Sequence, residues 1–292
     1  MKPKTGNFIQ LNVAVLIWGG TSMFAKGIPL PVGHITCIRS IVAAVMLLLF
    51  LIAGRTPIKL KCAGHYGIMA VLGILLGLHW LTFFKALKIS TAAVAILSLH
   101  TYPVFTALVE PFVFGEKLKK IDVVTALVMF AGVLSMTPEI SLSNRTTQAI
   151  LLGVVSGLFF MVRNLITRKY VQAYSSCQIM FWEILVTGAM LVPLLFLSGK
   201  VVYSSRTVGL LVLLGTIFTA FSQTLFSASL RNLSAKTVSI CATVLPFYGA
   251  FFGYLIYGET VTPRTVTGGI VILTCIVFEI IKSVREKEHR TK

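Results

Sequence analysis

Ten apolar runs divide this sequence of 292 residues, and each is close to the length that an α-helix needs to cross a lipid bilayer. The connections between the runs are short and leave no room for a soluble domain. Only 12% of the residues are charged, about half of the usual fraction in soluble domains, and the mean hydropathy is +0.90. The pattern predicts an all-α integral membrane protein with ten transmembrane helices. The predicted spans are residues 8–25, 34–53, 66–84, 91–114, 121–138, 148–171, 177–197, 207–229, 235–257 and 264–281.

Basic residues lie almost entirely in the connections and produce a formal net charge of +17. With the N-terminus in the cytoplasm, the inner segments hold 17 Lys and Arg and the outer loops hold 7. Because cytoplasmic loops of membrane proteins carry an excess of Lys and Arg, both termini are predicted to be cytoplasmic. The charge is then explained by contact with the lipid bilayer, and no nucleic-acid partner is expected. We expect a multi-pass protein of a bacterial inner (plasma) membrane.

The five cysteines stand singly, mostly within apolar runs. They form no CxxC pair and have no histidine nearby in sequence, so they are typical of small core residues rather than of a disulfide frame or a metal site. The sequence also contains no Walker motif for ATP. We therefore expect no cofactor and no metal. The cysteines are Cys37, Cys62, Cys177, Cys241 and Cys275.

An internal repeat becomes visible when the sequence is shifted by 143 positions. Pro103 then aligns with Pro246, and Gly115-Glu116 aligns with Gly258-Glu259. Five spans per copy is an odd number, so the second copy must enter the bilayer from the opposite face. The chain is therefore predicted to contain two inverted five-helix repeats, residues 1–143 and 144–285, followed by a basic cytoplasmic tail at residues 286–292. Inverted repeats are typical of secondary transporters, whose two halves exchange roles in opening a central site.

Several short motifs resemble those of the EamA family of the drug/metabolite transporter superfamily, and together they extend over essentially the whole chain. The motifs are Trp18-Gly19-Gly20, Arg39, Ala86-Leu87, residues 90–95, the proline pair Pro103 and Pro246, and the two Gly-Glu pairs. The resemblance implies ten helices in two inverted repeats around a central cavity that is lined mainly by spans 1, 3, 4, 6, 8 and 9. It also implies export or uptake of small metabolites such as amino acids, by proton-coupled or exchange transport.

Polar residues within spans are costly in lipid and usually face a cavity or each other. Arg163 lies ~12 Å from the inner end of span 6, and Glu183 and Gln223 lie ~9 Å from the inner ends of spans 7 and 8. With Asn164, these residues are predicted to form one polar cluster. The alternative is a purely structural network that holds the second repeat together.

The first repeat places its polar groups in the outer half of the bilayer. Arg39 and His79 lie ~8 Å from the outer ends of spans 2 and 3, and His100 lies ~13 Å into span 4, near the midplane. Aromatic residues add surfaces for stacking or for helix packing. The predicted substrate-binding residues are Trp18, His79, Phe83, His100, Tyr102, Arg163, Asn164, Gln223 and Tyr248.

These features favour a secondary transporter, either an exporter or an exchanger, that moves small polar or amphipathic metabolites such as amino acids by alternating access. Glu183 and His100 are the candidates for coupling to protons, since a carboxylate or an imidazole can load and release a proton as its exposure changes. A membrane channel is the alternative. A haem-binding protein is less favoured, since His79 and His100 are the only pair of histidines within spans that could hold a haem. Another intramembrane enzyme is also less favoured, since no pair of Asp within spans and no GxSxG or HExxH string occurs.

Overall fold

The computed structural model describes residues 5–114, 118–139, 141–170, 173–197, 201–232 and 244–290. Within these ranges every regular element is helical. The elements are α1 (Thr5–Gly27), α2 (Val32–Ala53), α3 (Ala63–Ile89), α4 (Ala92–Leu99), α5 (Tyr102–Phe114), α6 (Lys120–Met136), α7 (Arg145–Tyr170), α8 (Ser176–Leu197), α9 (Ser205–Gly215), a π-helical turn (Thr216–Phe221), α10 (Ser222–Asn232), α11 (Leu245–Tyr257) and α12 (Pro263–Arg290).

Six segments within the described ranges are long and apolar enough to cross a membrane. They are Val32–Ala53, Ala63–Ile89, Ala92–Val109, Arg145–Thr167, Ser176–Leu197 and Ser205–Phe226. Helices α6 and α11 are shorter, with 17 and 13 residues. Large apolar side chains such as Phe196 (81% exposed) and Leu127 (65% exposed) lie on the outside of the bundle, as expected for helices that face lipid. The all-α membrane fold is confirmed, and the count of ten spans stays a prediction.

The fourth predicted span, residues 91–114, is not one continuous helix. Helix α4 ends at Leu99 and α5 begins at Tyr102. Proline lacks an N–H group and its ring clashes with the carbonyl of the residue four positions earlier, so Pro103 is incompatible with an unbroken helix here. Pro246 has the same place in the other half of the chain, as the second residue of α11. Both prolines of the matched pair therefore lie at the start of a helix.

Helices of the two halves pack closely against each other where they carry glycine. A Cβ atom at Gly73 of α3 would lie 2.6 Å from the carbonyl oxygen of Glu183, and Gly153 and Gly157 of α7 contact the end of α4 in the same way. Helix α2 packs along α8, α3 packs against α7 and α8, and α1 packs against α10 and α11. The core therefore lies between the halves, and the first and second halves share it.

Ion pairs connect the ends of several helices. Lys26 pairs with Glu259, whose Oε2 also accepts a hydrogen bond from the backbone N–H of Ala92 at 2.8 Å. Lys282 pairs with Asp122 and Glu279. Of the two matched Gly-Glu pairs, Gly115-Glu116 lies outside the described residues, whereas Gly258 ends α11 with a φ of 63°, a conformation that favours glycine. Helix α12 continues through residues 286–290 of the predicted basic tail.

Candidate functional site

A cavity of about 80 Å³ lies between helices from both halves of the chain, with room for several water molecules. Its wall is formed by α1, α2, α3, α4, α5, α7, the π-helical turn, α10 and α11. These helices include all six spans that the family resemblance predicts to line the cavity. Helix α2 also contributes to the wall, through Arg39. Six of the predicted binding residues lie on this wall. They are Trp18, His79, Phe83, His100, Tyr102 and Gln223.

Aromatic rings form much of the wall, and hydrogen bonds or ring contacts hold several of them in place. The indole N–H of Trp18 donates to the hydroxyl of Ser222 at 3.0 Å, and the Trp18 ring lies 4.4 Å from that of Phe226. Tyr102 meets Phe160 edge to face at 5.0 Å. The apolar part of a bound molecule would therefore contact flat and largely rigid surfaces.

His79 of α3 is held by Ser156 of α7. The Ser156 hydroxyl donates to the backbone carbonyl of His79 at 2.8 Å. The ring Nδ1 lies 2.7 Å from that hydroxyl and 3.1 Å from the Ser156 carbonyl, which can only accept. We therefore assign the proton to Nδ1, and Nε2 of the neutral ring is then an acceptor. The ring also stacks on Phe83, with 6.1 Å between centroids and an angle of 6°.

His100 lies at the break between α4 and α5. Its Nδ1 is 2.9 Å from the carbonyl oxygen of Ile96, and its ring contacts Tyr102 at 5.9 Å. The residue is 3% exposed to the outside yet contributes to the cavity wall. Pro103 thus brings an imidazole to the centre of the bundle by ending α4 there.

Arg39 is the one charged residue among the described residues of the wall, and no Asp or Glu is found there. Its side chain is 2% exposed. Nε donates to the hydroxyl of Thr219 at 3.1 Å, and the guanidinium carbon lies 4.0 Å from the centre of the Trp80 ring and 4.9 Å from that of Phe84. Nη1 is buried and has no hydrogen-bond partner in the described part of the chain.

Arg163 and Glu183 form a buried ion pair between α7 and α8, as their matched depth predicted. Nε and Nη2 of Arg163 lie 2.7 Å and 2.6 Å from Oε2 of Glu183, and Glu183 is fully buried. Nη1 donates to Oδ1 of Asn164 at 3.3 Å. Three of the four members of the predicted polar cluster therefore meet. The fourth, Gln223, lies on the cavity wall instead.

Four predicted functional residues do not line the cavity in this structure. Arg163, Asn164 and Glu183 belong to the ion-pair cluster between α7 and α8. Tyr248 packs against Leu11 and Val15 of α1. Their roles in binding or proton coupling stay predictions.

Sequence reasoning also missed residues of the wall. Arg39 was noted as an intramembrane charge but not assigned to the site, although a charge without a partner nearby in sequence was a usable signal. Phe160 and Phe226 carried no signal, since phenylalanine is common on every helix of such a bundle. No group of three or more His, Cys, Asp or Glu side chains able to hold a metal occurs within the described ranges.

The fold and the central cavity define a multi-pass membrane protein built around an internal site. The sequence profile of the EamA-like transporter family matches residues 8–137 and again residues 147–280. The protein is therefore a membrane transporter, not an enzyme, and it belongs to the EamA-like transporter family. The resemblance noted in the sequence is confirmed.

Curated relatives and a solved structure are similar over most of the chain. The Pseudopaline exporter CntI of Pseudomonas aeruginosa (strain UCBPP-PA14) is 23% identical over 254 residues, which are 87% of this chain and 88% of the exporter. The uncharacterized transporter YxxF of Bacillus subtilis (strain 168) is 25% identical over 249 residues, 84% of this chain and 80% of YxxF. A crystal structure superimposes with a TM-score of 0.64 at 15% identity, over 94% of this chain and 96% of the other, which shows a shared fold.

Proposed function

We propose that the protein is a secondary transporter that exports or exchanges a small amphipathic metabolite, amino-acid-like in size, by alternating access. The observation that carries the proposal is the central cavity, whose wall combines aromatic rings with a few polar groups and is built by helices from both halves of the chain. A cavity between the two halves of the chain is typical of the binding sites of secondary transporters. The relative CntI is an exporter, which favours the outward direction.

The proposed topology has two inverted repeats, residues 1–143 and 144–285, with both termini in the cytoplasm of a bacterial inner membrane. Ion pairs at the two ends of α12 agree with it. Lys26 and Glu259 meet just before α12 begins and are both predicted to lie outside. Lys282, which pairs with Asp122, lies ~28 Å further along that helix and is predicted to lie inside.

Coupling to protons is proposed to involve His100 or Glu183. His100 contributes to the cavity wall, where a substrate and a proton can compete for the same space. Glu183 already has a cationic partner in Arg163, so its release of a proton depends on whether that pair opens during the transport cycle. The roles of His100 and Glu183 in proton coupling can therefore be tested separately.

The test uses the purified chain in proteoliposomes with a labelled amino-acid mixture. A transporter exchanges label for internal unlabelled substrate, so preloading should accelerate uptake. An imposed pH gradient should drive accumulation. We expect His100→Gln to keep exchange and to lose the accumulation that the pH gradient drives. Glu183→Gln combined with Arg163→Met should reduce this accumulation only if the ion pair takes part in proton coupling.

Two results would contradict the proposal. Flux that is not accelerated by internal substrate would indicate a channel, because a continuous pore has no obligatory return step. Full accumulation by a variant that combines His100→Gln with the changes at Glu183 and Arg163 would exclude both residues as proton carriers.

A further inference from the structure

We infer that Arg39 binds the carboxylate of the transported molecule, and that the substrates are small amphipathic carboxylic acids. The inference deepens the proposed function, because it names the substrate class and the residue that selects it. It rests on the charge of the cavity, on the geometry of the Arg39 guanidinium and on a comparison with the second buried arginine of the bundle.

The cavity wall has an unbalanced positive charge. Arg39 is the one Lys or Arg among its described residues, and they include no Asp or Glu. Charges within a membrane protein are costly unless they pair with an opposite charge or reach water. An anionic group of the substrate would supply the missing partner, so the cavity is expected to prefer an acid over the corresponding amide or amine.

The guanidinium of Arg39 is fixed in position before any ligand arrives. Its Nε is bound to Thr219, and its flat face lies over Trp80, 4.0 Å from the ring centre. Nη1 is buried and has no acceptor in the described part of the chain, so it lacks the partner that a ligand could supply. A guanidinium held in this way presents N–H groups in the geometry that a planar carboxylate accepts.

Arg163 is the internal comparison. It is buried to a similar extent, 5% exposed against 2% for Arg39, but its guanidinium is bound to Glu183 and Asn164. The protein thus pairs Arg163 with a carboxylate of its own chain, Glu183. Arg39 instead lies on the wall of a cavity whose described residues include no carboxylate. A purely structural role for Arg39 would be expected to show the first arrangement.

The rest of the wall indicates what the carboxylate is attached to. Aromatic side chains such as Trp18, Phe83 and Phe160 accept an apolar group, either aromatic or branched aliphatic. A single arginine matches a single negative charge, so a carboxylate fits better than a phosphate dianion. His79, with Nε2 as an acceptor, and Gln223 offer hydrogen bonds to a further polar group of the ligand.

The first experiment needs no variant and compares head groups on one scaffold. The probes are phenylacetate, phenylacetamide and phenethylamine, and a second set of isovalerate, isovaleramide and isoamylamine. A carboxylate should stabilise the detergent-purified chain against thermal unfolding. The matching amide and amine should bind at least about tenfold more weakly than the carboxylate. Equal stabilisation by amide or amine, a stronger effect of inorganic phosphate, or no effect of either carboxylate would overturn the inference.

The second experiment locates the interaction. Arg39→Gln should remove the preference for the carboxylate, Arg39→Lys should keep part of it because the charge remains, and the exposed Arg145→Gln serves as a control with the same net charge as the first variant. Unchanged preference in Arg39→Gln would overturn the inference.

Exchange of labelled phenylacetate or isovalerate in proteoliposomes separates this inference from the proposed function. If the acids bind in a way that depends on Arg39 but are not exchanged, their transport would be contradicted, whereas the binding site at Arg39 would be supported. Exchange of labelled amino acids that is unaffected by Arg39→Gln would support transport and overturn the role of Arg39.

Discussion

At the scale of single residues, two buried arginines illustrate two ways of accommodating a charge in lipid. Arg163 is balanced by Glu183 within 2.7 Å, and this pair joins α7 to α8. Arg39 instead lies against the rings of Trp80 and Phe84 and donates a hydrogen bond to Thr219. The first arrangement is complete without a ligand, whereas the second leaves a donor on the wall of a cavity. The sequence placed both arginines within apolar spans, but the difference in their partners could not be predicted from it.

The ion pair yields a prediction at this scale. Arg163→Met or Glu183→Gln alone should lower the free energy of unfolding by ~3–5 kcal/mol, because each leaves a buried charged or polar group without its partner. The combined variant should recover part of that loss. Unfolding of the purified protein by denaturant or heat measures the stability of the two single variants and of the combined variant.

A control shows that the coupling is specific to this pair. Glu183→Gln combined with Arg145→Gln removes the same number of charges, but Arg145 is exposed, so the two effects should add. Strict additivity of the changes at Arg163 and Glu183 would show that the ion pair does not contribute to stability.

At the scale of helices, small residues and breaks determine which elements meet at the cavity. Gly73 allows α3 to approach the backbone of α8 closely, and Gly77 leaves room for the Met190 side chain of that helix. Pro103 ends α4 so that His100 reaches the wall. The π-helical turn lets the Thr219 hydroxyl donate to the carbonyl of Leu214, five residues earlier, while it accepts from Arg39. Local irregularities of this kind are common at functional sites.

Glycines of α3 provide a matched test of this packing. Gly73→Ala should lower the free energy of unfolding by ~1–3 kcal/mol, because the added Cβ would lie 2.6 Å from both the Glu183 carbonyl oxygen and the Cβ of Val186. Gly67→Ala, on the same helix, meets no atom within 4 Å and should gain up to ~1 kcal/mol from its better helix propensity. Thermal unfolding of both variants in the same detergent measures the two changes in stability. Equal effects of the two changes would argue that α3 and α8 are not in close contact.

At the scale of the whole molecule, helices from both halves of the chain contribute to a hydrophobic core and to the cavity. Trp18 of the first half bonds to Ser222 of the second, and Lys26 pairs with Glu259. Contacts of this kind bring together residues more than 200 positions apart in the chain. A movement that opened the cavity to either side would have to break or rearrange contacts between the halves.

Topology is the prediction at this scale. With both termini in the cytoplasm, Ser143→Cys should react in intact cells with a maleimide that cannot cross the membrane, because residue 143 lies in a predicted outer loop. The parent chain should not react through the exposed Cys62, which lies in a predicted inner loop. Ser143 is preferred to Asn144 because Asn144 accepts the backbone N–H of Thr146 at the start of α7.

Cys62→Ala completes the test. Labelling of the parent chain that disappears in this variant would place the inner loop outside and contradict the predicted orientation. Failure of Ser143→Cys to react in intact cells, with reaction after the membrane is permeabilised, would do the same.

The sequence by itself determined that this chain is an all-α membrane protein, because the length of its apolar runs is a local property, and its short motifs were sufficient to indicate a transporter of the EamA type. The position of each polar residue along its helix also follows from the sequence, at a rise of 1.5 Å per residue. Only the tertiary structure decided that His79 and Gln223 share a wall with Arg39, while Arg163 and Glu183 face each other elsewhere. Depth along a helix axis follows from counting residues. The rotation of each helix about that axis, and the choice of its neighbours, depend on side-chain packing and backbone approach between segments that are distant in the chain.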